Sequence, residues 1–582
     1  MKKLGYNDIR DKYIHFFVQQ NHKEIPSASL VPEDDPSVLF VNAGMFPLIP
    51  YLMGAKHPEG ARLVSSQRCL RTQDIDLVGD PYHCTAFEML GNWSLNDYFK
   101  KEAINLTIKF FVQELGLDIN KIFATVYQGD EQIPRDDASI EIWKDIFKSY
   151  GIDAKVGQGE RIEPKGKEDN FWGLESGGPC GPDSEIFYKT KNGLVEIGNN
   201  VFMEYFLKDG IYSPLGKHNV DFGGGLDRLC ALIQDVDSVY DTDIYKPILE
   251  KVESLNDTHI VQSERIIVDH LKAATWIIAD GIVPGKSKQG YVLRRLIRRA
   301  VRHGRKLNIE NLFTKEIAKV AIEQFATIYP RLEQQKEEIL KIIEEEERKF
   351  NQTIRKGLKV FQRMIDERGN ITGKDAFTLY ETYGFPIEIT EEILEEKGLE
   401  LQNAEEFTIA KNEHKENSRT TSAGMFKGGL ADTSEMSTRY HTATHLLLAA
   451  LQKVLGDQVD QKGSNITSER LRLDYPSNEK LTPEQVREVE DIVNSAIDAS
   501  YNITFKEIKK EEALKLVPTS AFTEKYGDMV KLYYIGPFED PFSVEICRGP
   551  HVKNTSELGK FRIVKQESVS AGIKRIKAVL EW

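Results

Sequence analysis

His441 and His445 sit in the run His441-Thr442-Ala443-Thr444-His445, and on a helix this i, i+4 spacing puts both imidazoles on one face, as a metal ion requires. Later in the chain, Cys547-Arg548-Gly549-Pro550-His551 adds a thiol and a third imidazole. Four ligands of these types suit tetrahedral zinc; the alternative is a set of core histidines and a buried thiol. A second chemistry is electrostatic. Between Gly281 and Ile309 there are nine Lys or Arg and no acid. Arg294, Arg298, Arg302 and Arg305 follow one helical stripe, with Arg295, Arg299 and Lys306 beside it. Seven like charges on one helix repel, and a polyanion would neutralise them and release counterions. The alternative is a basic face paired with acidic helices.

Two further arginines stand where a phosphate could be held. Arg71 follows Gln67-Arg68-Cys69-Leu70, which reads as a strand with Phe87 to Trp93 as its antiparallel partner. Arg228 closes Asp221-Phe222-Gly223-Gly224-Gly225-Leu226-Asp227-Arg228. Three glycines let a strand pass into a helix at close backbone approach, and an arginine one turn into that helix can reach back over the sheet. For each arginine a structural salt bridge is the alternative. Gly281-Ile282-Val283-Pro284-Gly285-Lys286-Ser287 resembles a phosphate loop but has three residues between its glycines where four are needed. No Gly-x-Gly-x-x-Gly follows a strand, so nucleotide binding would use another architecture.

These groups must be positioned by a chain of 582 residues, enough for three to four domains at roughly 150 residues each. With 40% hydrophobic and 29% charged residues the composition is that of an ordinary folded protein and excludes disordered and fibrous classes. No apolar run approaches the roughly 20 residues of a membrane span, and the start, Met1 to Asp8, lacks the apolar core of a signal peptide. Five cysteines, an odd number, build no disulfide scaffold and point to a reducing cytoplasm. The net charge of −14, from 77 basic and 91 acidic residues, excludes a protein that coats nucleic acid at large, so any nucleic-acid contact must be local.

Along the chain, residues 1–245 are rich in Gly, Pro and aromatics. Ser37 to Val41 and Lys121 to Val126 read as strands and Lys101 to Leu115 as a helix, giving an α+β domain on a sizeable sheet. Residues 246–420 read as helical. Ile339, Ile343, Phe350, Ile354, Leu358, Phe361 and Ile365 form one apolar face of a long helix, with Glu344 to Glu347 on its wet side. Lys411 to Met436 reads as a linker, and residues 421–582 contain a second α/β unit with the candidate metal ligands.

Taken together, ordered segments resemble the alanyl-tRNA synthetase family of class II aminoacyl-tRNA synthetases. They are Ser29-Leu30-Val31-Pro32, Phe40 to Met45, Cys69-Leu70-Arg71, Phe87 to Ser94, Gly178 to Pro182 with Glu185 to Tyr188, Asn200 to Met203, Val220-Asp221, Gly290 to Arg295, Tyr383 to Pro386 and Gln461 to Ser464, together with the four candidate ligands. The resemblance covers nearly the whole chain. It implies an antiparallel sheet flanked by helices as a catalytic domain, a helical domain that recognises tRNA and a zinc-containing α/β editing domain.

The implied activity is ATP-dependent ligation of L-alanine to tRNA(Ala) through alanyl-adenylate, followed by hydrolysis of mischarged seryl- or glycyl-tRNA(Ala) at a second site. A site shaped for alanine cannot exclude smaller glycine and rejects serine only modestly. By resemblance, Arg71 holds the α-phosphate, Arg228 the γ-phosphate, Asp221 the substrate ammonium, and Trp172 walls the side-chain pocket. A helix N-cap is the alternative for Asp221. The same resemblance assigns cofactor contacts to Glu88, Val201 and Gly223, and Mg²⁺ to Glu185 or Glu196. It assigns Zn²⁺ to His441, His445, Cys547 and His551, an editing role to Gln461, and tRNA contact to Arg294, Arg295, Arg298, Arg299 and Arg302. The family's usual Cys-Gly-Gly-Thr-His is here Cys547-Arg548-Gly549-Pro550-His551, which resembles the threonyl editing unit, and the editing β-barrel has no counterpart. Lys286 stands where an asparagine that helps read the acceptor-stem G·U pair is expected. Without the family's C-terminal assembly domain, a monomer or weak dimer is expected. Two rival readings are a deacylase with a dead synthetase domain and a noncatalytic tRNA-binding regulator.

Overall fold

The computed structural model describes residues 4–32, 38–173, 177–413, 434–456, 458–477, 479–517, 529–547, 549–570 and 572–581. Most of the expected linker, residues 414–433, and Arg548 lie outside the described residues. The fold separates into two compact units where three domains are expected: residues 1–369 with 379–398, and residues 370–378 with 399–582.

The first unit is built on nine strands: β1 (Lys23–Glu24), β2 (Arg62–Leu70), β3 (Ala86–Leu95), β4 (Ile122–Tyr127), β5 (Ile162–Lys165), β6 (Phe171–Trp172), β7 (Gly178–Thr190), β8 (Gly193–Lys208) and β9 (Ile211–Gly225). The order is β1-β2-β3-β9-β8-β7-β4-β5, with β6 on β7. All pairs are antiparallel except β1 with β2 and β4 with β5. This is the helix-flanked antiparallel sheet of a class II synthetase, as the resemblance implies. The expected pairing of β2 with β3 is present, with Cys69 opposite Phe87. Lys121 to Val126 forms β4, displaced by one residue. Val38 to Val41 is not a strand. Its buried Phe40 and Val41 account for the apolar run, and the backbone makes single hydrogen bonds to Leu30 and Leu70 instead of a ladder.

Register sorts the side chains. Trp93, Asp221, Val201 and Asp183 lie opposite one another in one row, and Gly91, Gly223, Asn199 and Glu185 in the next row of the same face. The opposite face carries Glu88, Asn92, Phe222 and Asn200 and is covered by the helix Tyr6–Gln19, from which Arg10 pairs with Glu88 and Tyr13 donates to Asn92 at 2.8 Å.

Helices after Tyr245 belong to this unit because one of them is pinned to the sheet strands. In helix Val261–Ala279, Asp269 accepts from the Thr85 amide and Lys272 donates to the Ala86 carbonyl; Asp280 at its end pairs with Arg68. These buried polar contacts remove the expected boundary at 245/246. The long helix Lys336–Arg368 buries Ile339, Ile343, Phe350, Ile354 and Phe361, as the spacing requires. Its glutamate run is not wholly a wet face. Glu346 and Glu347 are buried: Glu346 pairs with Arg298, and Glu347 accepts from the Phe313 and Thr314 amides and the Thr314 hydroxyl.

The second unit holds two sheets: β10 (Gly463–Ile466), β11 (Leu471–Pro476), β15 (Lys560–Ser570) and β16 (Ile573–Glu581) in the order β10-β11-β16-β15, and β12 (Ile503–Lys509), β13 (Met529–Ile535) and β14 (Ser543–Ile546) in sequence order. Helices Glu435–Leu455 and Pro483–Asp498 pack an apolar core against the first sheet, through Leu446, Leu447, Leu451, Val489, Val493, Leu473 and Ile576. The second helix starts in a capping box, with Thr482 and Gln485 each closing the other's amide. No helix among the described residues is long and apolar enough to cross a membrane.

Candidate active and metal sites

Most of the candidate residues in the first unit share one face of its sheet. Asp221 on β9 is nearly enclosed, and its Oδ1 accepts a 2.7 Å hydrogen bond from the indole N–H of Trp93 on β3. At Gly91 any Cβ would collide with the Trp93 ring, so glycine lets the indole lie over its own strand toward Asp221. Burial raises the Asp221 carboxyl from its ordinary 3.8 to about 7, opposed by the Trp93 bond. Among the described residues this buried carboxylate has one hydrogen bond and no charged partner, which suits it to accept a cation. It is held within β9 and is not a helix cap. Val201 lies directly opposite Asp221, and Trp172, half-buried on β6, packs into the same apolar cluster with Met45, Leu63, Trp93 and Met203. Trp93 is a residue that sequence reasoning quoted only within a motif; its place opposite Asp221 is a matter of register.

Arg71 follows β2, donates from Nε to the Asn42 carbonyl at 3.2 Å and lies 5.2 Å over the Phe87 ring. Arg228 sits in the first turn of helix Leu226–Gln234, directly after the glycines, and pairs with Glu196 at 3.0 Å. Burial raises the Asp74 carboxyl, and Arg71, His83 and Arg228 all pull against that rise. Both guanidinium groups thus act electrostatically on one carboxyl; among the described residues Arg228 is ion-paired to Glu196 and Arg71 has no ion pair. Glu185 shares the face; burial first, and then the Glu196 charge, raise it to about 7. Two carboxylates held in repulsion offer oxygen ligands of the kind Mg²⁺ takes. Glu88 does not join them. It is on the opposite face with no exposed surface, and its oxygens are taken by Arg10 at 2.6 and 2.8 Å and by Ser66 at 2.7 Å. That corrects its expected contact with a cofactor, since alternation along β3 turns it away.

The basic helix Lys288–Lys306 also departs from expectation. Arg295, Arg298, Arg299 and Arg302 are buried and ion-paired, to Asp76 and Glu388, to Glu346, to Glu392, and to Glu392 with Glu396. Glu388, Glu392 and Glu396 lie at i, i+4, i+8 on the helix Ile387–Glu396, an acidic stripe matching the basic one. Folding therefore does supply a reason to collect these charges. Arg294 alone of the five has no ion pair among the described residues; it lies 5.6 Å over the Tyr291 ring. Ahead of the helix, Lys286 and Lys288 are exposed.

In the second unit the four expected ligands meet. One ligand atom from each of His441, His445, Cys547 and His551 lies within 4.8 Å of all the others. Each imidazole is oriented through Nδ1: His441 donates to the Pro550 carbonyl at 2.9 Å, His445 is 2.9 Å from Glu545 Oε2, and His551 meets the Thr442 hydroxyl at 3.2 Å. That leaves the Nε2 atoms for the centre. His441 Nε2 is 3.4 Å from Cys547 Sγ, and His551 Nε2 is buried with no partner. Burial would raise the Cys547 thiol, but the imidazoles, His441 foremost, hold it well below its usual range. Burial pushes His551 down to about 3, keeping it neutral. Three imidazoles, an acidified thiol and an orphaned buried nitrogen fit a zinc ion, and the bonds at Nδ1 are the outer partners that orient metal-bound histidine; with no ion bound, Glu545 and Cys547 hold His445 well above the usual imidazole range in spite of burial. Glu545 went unnoticed in the sequence; its position two residues before Cys547 on a strand, hence on the same face, was the available signal. Gln461 lies ahead of β10 and donates to Ser464 Oγ at 3.1 Å; among the described residues it makes no hydrogen bond to the four ligands.

Comparison with known proteins identifies the family. Residues 8–462 match the family described as tRNA synthetases class II (A), and residues 530–577 match the threonyl and alanyl tRNA synthetase second additional domain. The chain is 47% identical to the alanine–tRNA ligase of Treponema denticola, with all of both chains covered. It is 45% identical to that of Treponema pallidum, covering 99% of this chain and 98% of the relative. Against the ligase of Thermoanaerobacter pseudethanolicus it is 34% identical, covering all of this chain and 80% of the relative.

Proposed function

The chain belongs to the alanyl-tRNA synthetase family, and on that premise we propose that it joins L-alanine to tRNA(Ala) in two steps and clears wrongly charged tRNA at a second site. The observation that carries the first part is the shared face of the sheet: a buried, unpaired carboxylate at Asp221, a small apolar wall from Val201 and Trp172, and two guanidinium groups nearby. Asp221 takes the alanine ammonium. The alanine carboxylate then attacks the α-phosphorus of ATP and pyrophosphate leaves. Arg71 faces the charge that reorganises at the α-phosphate and Arg228 holds the γ-phosphate, so the in-line displacement is stabilised by fixed charges. In the second step a terminal ribose hydroxyl of the tRNA attacks the adenylate carbonyl and AMP leaves. Glu185 and Glu196 would hold Mg²⁺, which when bound neutralises phosphate charge.

For the tRNA, the buried ion pairs assign most of the basic helix to folding. We place the contact at its exposed start, Lys286 and Lys288, because Arg294, though without an ion pair among the described residues, is buried like the other four. The zinc reading rests on the four converging ligands of the second unit. Held by His441, His445, Cys547 and His551, the ion would supply cross-linking and fixed charge. Orienting the 3′ end for hydrolysis then falls to this chain's own groups around it. A cytoplasmic place of action fits five unbridged, buried cysteines. The test is comparative: Arg71→Ala should abolish alanine-dependent pyrophosphate exchange while leaving release of serine from seryl-tRNA(Ala) intact, and Cys547→Ala should do the reverse.

A further inference from the structure

The loop of residues 72–85, which follows Arg71, is tied at both ends to one chain of buried polar groups. The Arg71 amide donates to the Thr85 carbonyl at 2.9 Å. The Thr85 amide donates to Asp269 Oδ1 at 2.8 Å, and Asp269 Oδ2 is 2.8 Å from His270 Nδ1. His270 Nε2 is 2.9 Å from Arg299 Nη1, which also donates to the Ile75 carbonyl at 2.8 Å. Ile75 is four residues beyond Arg71, so the circuit closes on the turn where it began. A guanidinium only donates, so His270 Nε2 accepts and the ring hydrogen lies on Nδ1, facing Asp269. Asp269 and His270 have no exposed surface, and Arg299 is buried. The middle of the loop is held from the same two helices: Arg295 donates to Asp76 Oδ1 at 2.6 Å and Arg265 to the Gly79 carbonyl at 3.3 Å.

We propose that Asp269, His270 and Arg299 are positioning residues for Arg71: their circuit fixes the turn from Arg71 to Ile75 and so sets where the Arg71 guanidinium meets the phosphates of ATP. Arg71 has no ion pair among the described residues, so its place depends on its backbone, the Asn42 carbonyl and the Phe87 ring. A charge that stabilises a displacement must stand in position beforehand, and a misplacement of about 1 Å costs up to about a hundredfold in rate. Arg302 marks the contrast on the same helix. It is as deeply buried as Arg299 and pairs with Glu392 and Glu396, but among the described residues it makes no hydrogen bond to the loop. Arg299 shares the pairing to Glu392 and spends a further N–H on Ile75 and His270. The inference deepens the proposed ATP site and rests on that reading for its purpose, not for its geometry.

The test uses the full-length protein and two readouts: ATP affinity by titration calorimetry, and amide hydrogen exchange across residues 71–85. Arg299→Lys keeps a cation beside Glu392, but one ammonium cannot also span Ile75 and His270. It should weaken ATP binding roughly tenfold, the scale of one charged hydrogen bond, and speed exchange across the loop. His270→Asn, too short to join Asp269 to Arg299, should do the same with the Arg299–Glu392 pair kept, and serves alone if Arg299→Lys does not fold. Arg302→Lys should change neither readout. In an Arg71→Ala background, Arg299→Lys should cost no further ATP affinity, because its effect passes through Arg71. Unchanged exchange across 71–85 in the folded variants, an equal loss of ATP affinity in Arg302→Lys, or a full further loss in the Arg71→Ala background would overturn the positioning role. ATP binding untouched by Arg71→Ala, with loop exchange still faster in Arg299→Lys, would instead sink the assignment of Arg71 to ATP and leave the circuit's hold on the loop standing.

Discussion

Asp221 is the carboxyl proposed to receive the alanine ammonium, and its environment sets the pH at which that reading has it ionised. Burial raises it to about 7, so below that pH the folded protein holds it protonated and unable to pair with an ammonium. Alanine KM in pyrophosphate exchange should therefore fall as pH rises from 6 to 8. The linkage sign agrees: between about 4 and 7 the folded chain binds more protons than the unfolded one, so this group's contribution to stability declines as pH rises through that window. Alanine, pairing with the ionised form, should offset the loss, giving a larger ligand-induced rise in Tm at pH 8 than at pH 6. Trp93→Phe removes the indole hydrogen bond to this carboxylate, worth about 1.5–3 kcal/mol for a charged acceptor, and should raise alanine KM roughly tenfold with ATP KM spared. Equal effects on both would make Trp93 a packing residue. Arg71→Ala and Arg228→Ala should each lower adenylate formation by roughly 10²–10³ while leaving the circular dichroism spectrum unchanged.

At the scale of elements, the basic helix Lys288–Lys306 shows what sequence can and cannot deliver. Its stripe of arginines was legible, but the acids that meet it lie about a hundred residues on, at Glu388, Glu392 and Glu396, and in a glutamate run that looked like a wet face. Pairing of charges across helices is a tertiary fact that periodicity within one helix does not contain. Glu88 failed for a related reason: only the register of β3 with β2 and β9 turns it to Arg10. By contrast His441 and His445 needed only helical spacing to be placed together, and the strand–glycine–helix entry to Arg228 was visible in three adjacent glycines. The ion pairs predict a measurable cost. Glu346→Ala leaves the buried Arg298 guanidinium without its carboxylate and should destabilise the first unit by about 3–5 kcal/mol in urea unfolding. A loss of tRNA affinity with full stability would return Arg298 to a nucleic-acid role.

For the whole molecule, the residues proposed for the two activities belong to different compact units: Asp221, Arg71 and Arg228 to one, the four candidate ligands to the other. Metal analysis should find one zinc per chain, lost in Cys547→Ala, with adenylate formation preserved. Because the ligands must be deprotonated, zinc affinity should weaken as pH falls through the histidine range. The central claim, that this chain activates alanine on the first unit's sheet, is tested most directly by alanine-dependent ATP–pyrophosphate exchange in the absence of tRNA. The account predicts exchange with alanine that is lost in Asp221→Ala and retained in Cys547→Ala. A folded wild-type chain that gives no alanine-dependent exchange, or an Asp221→Ala chain that exchanges normally, would contradict it.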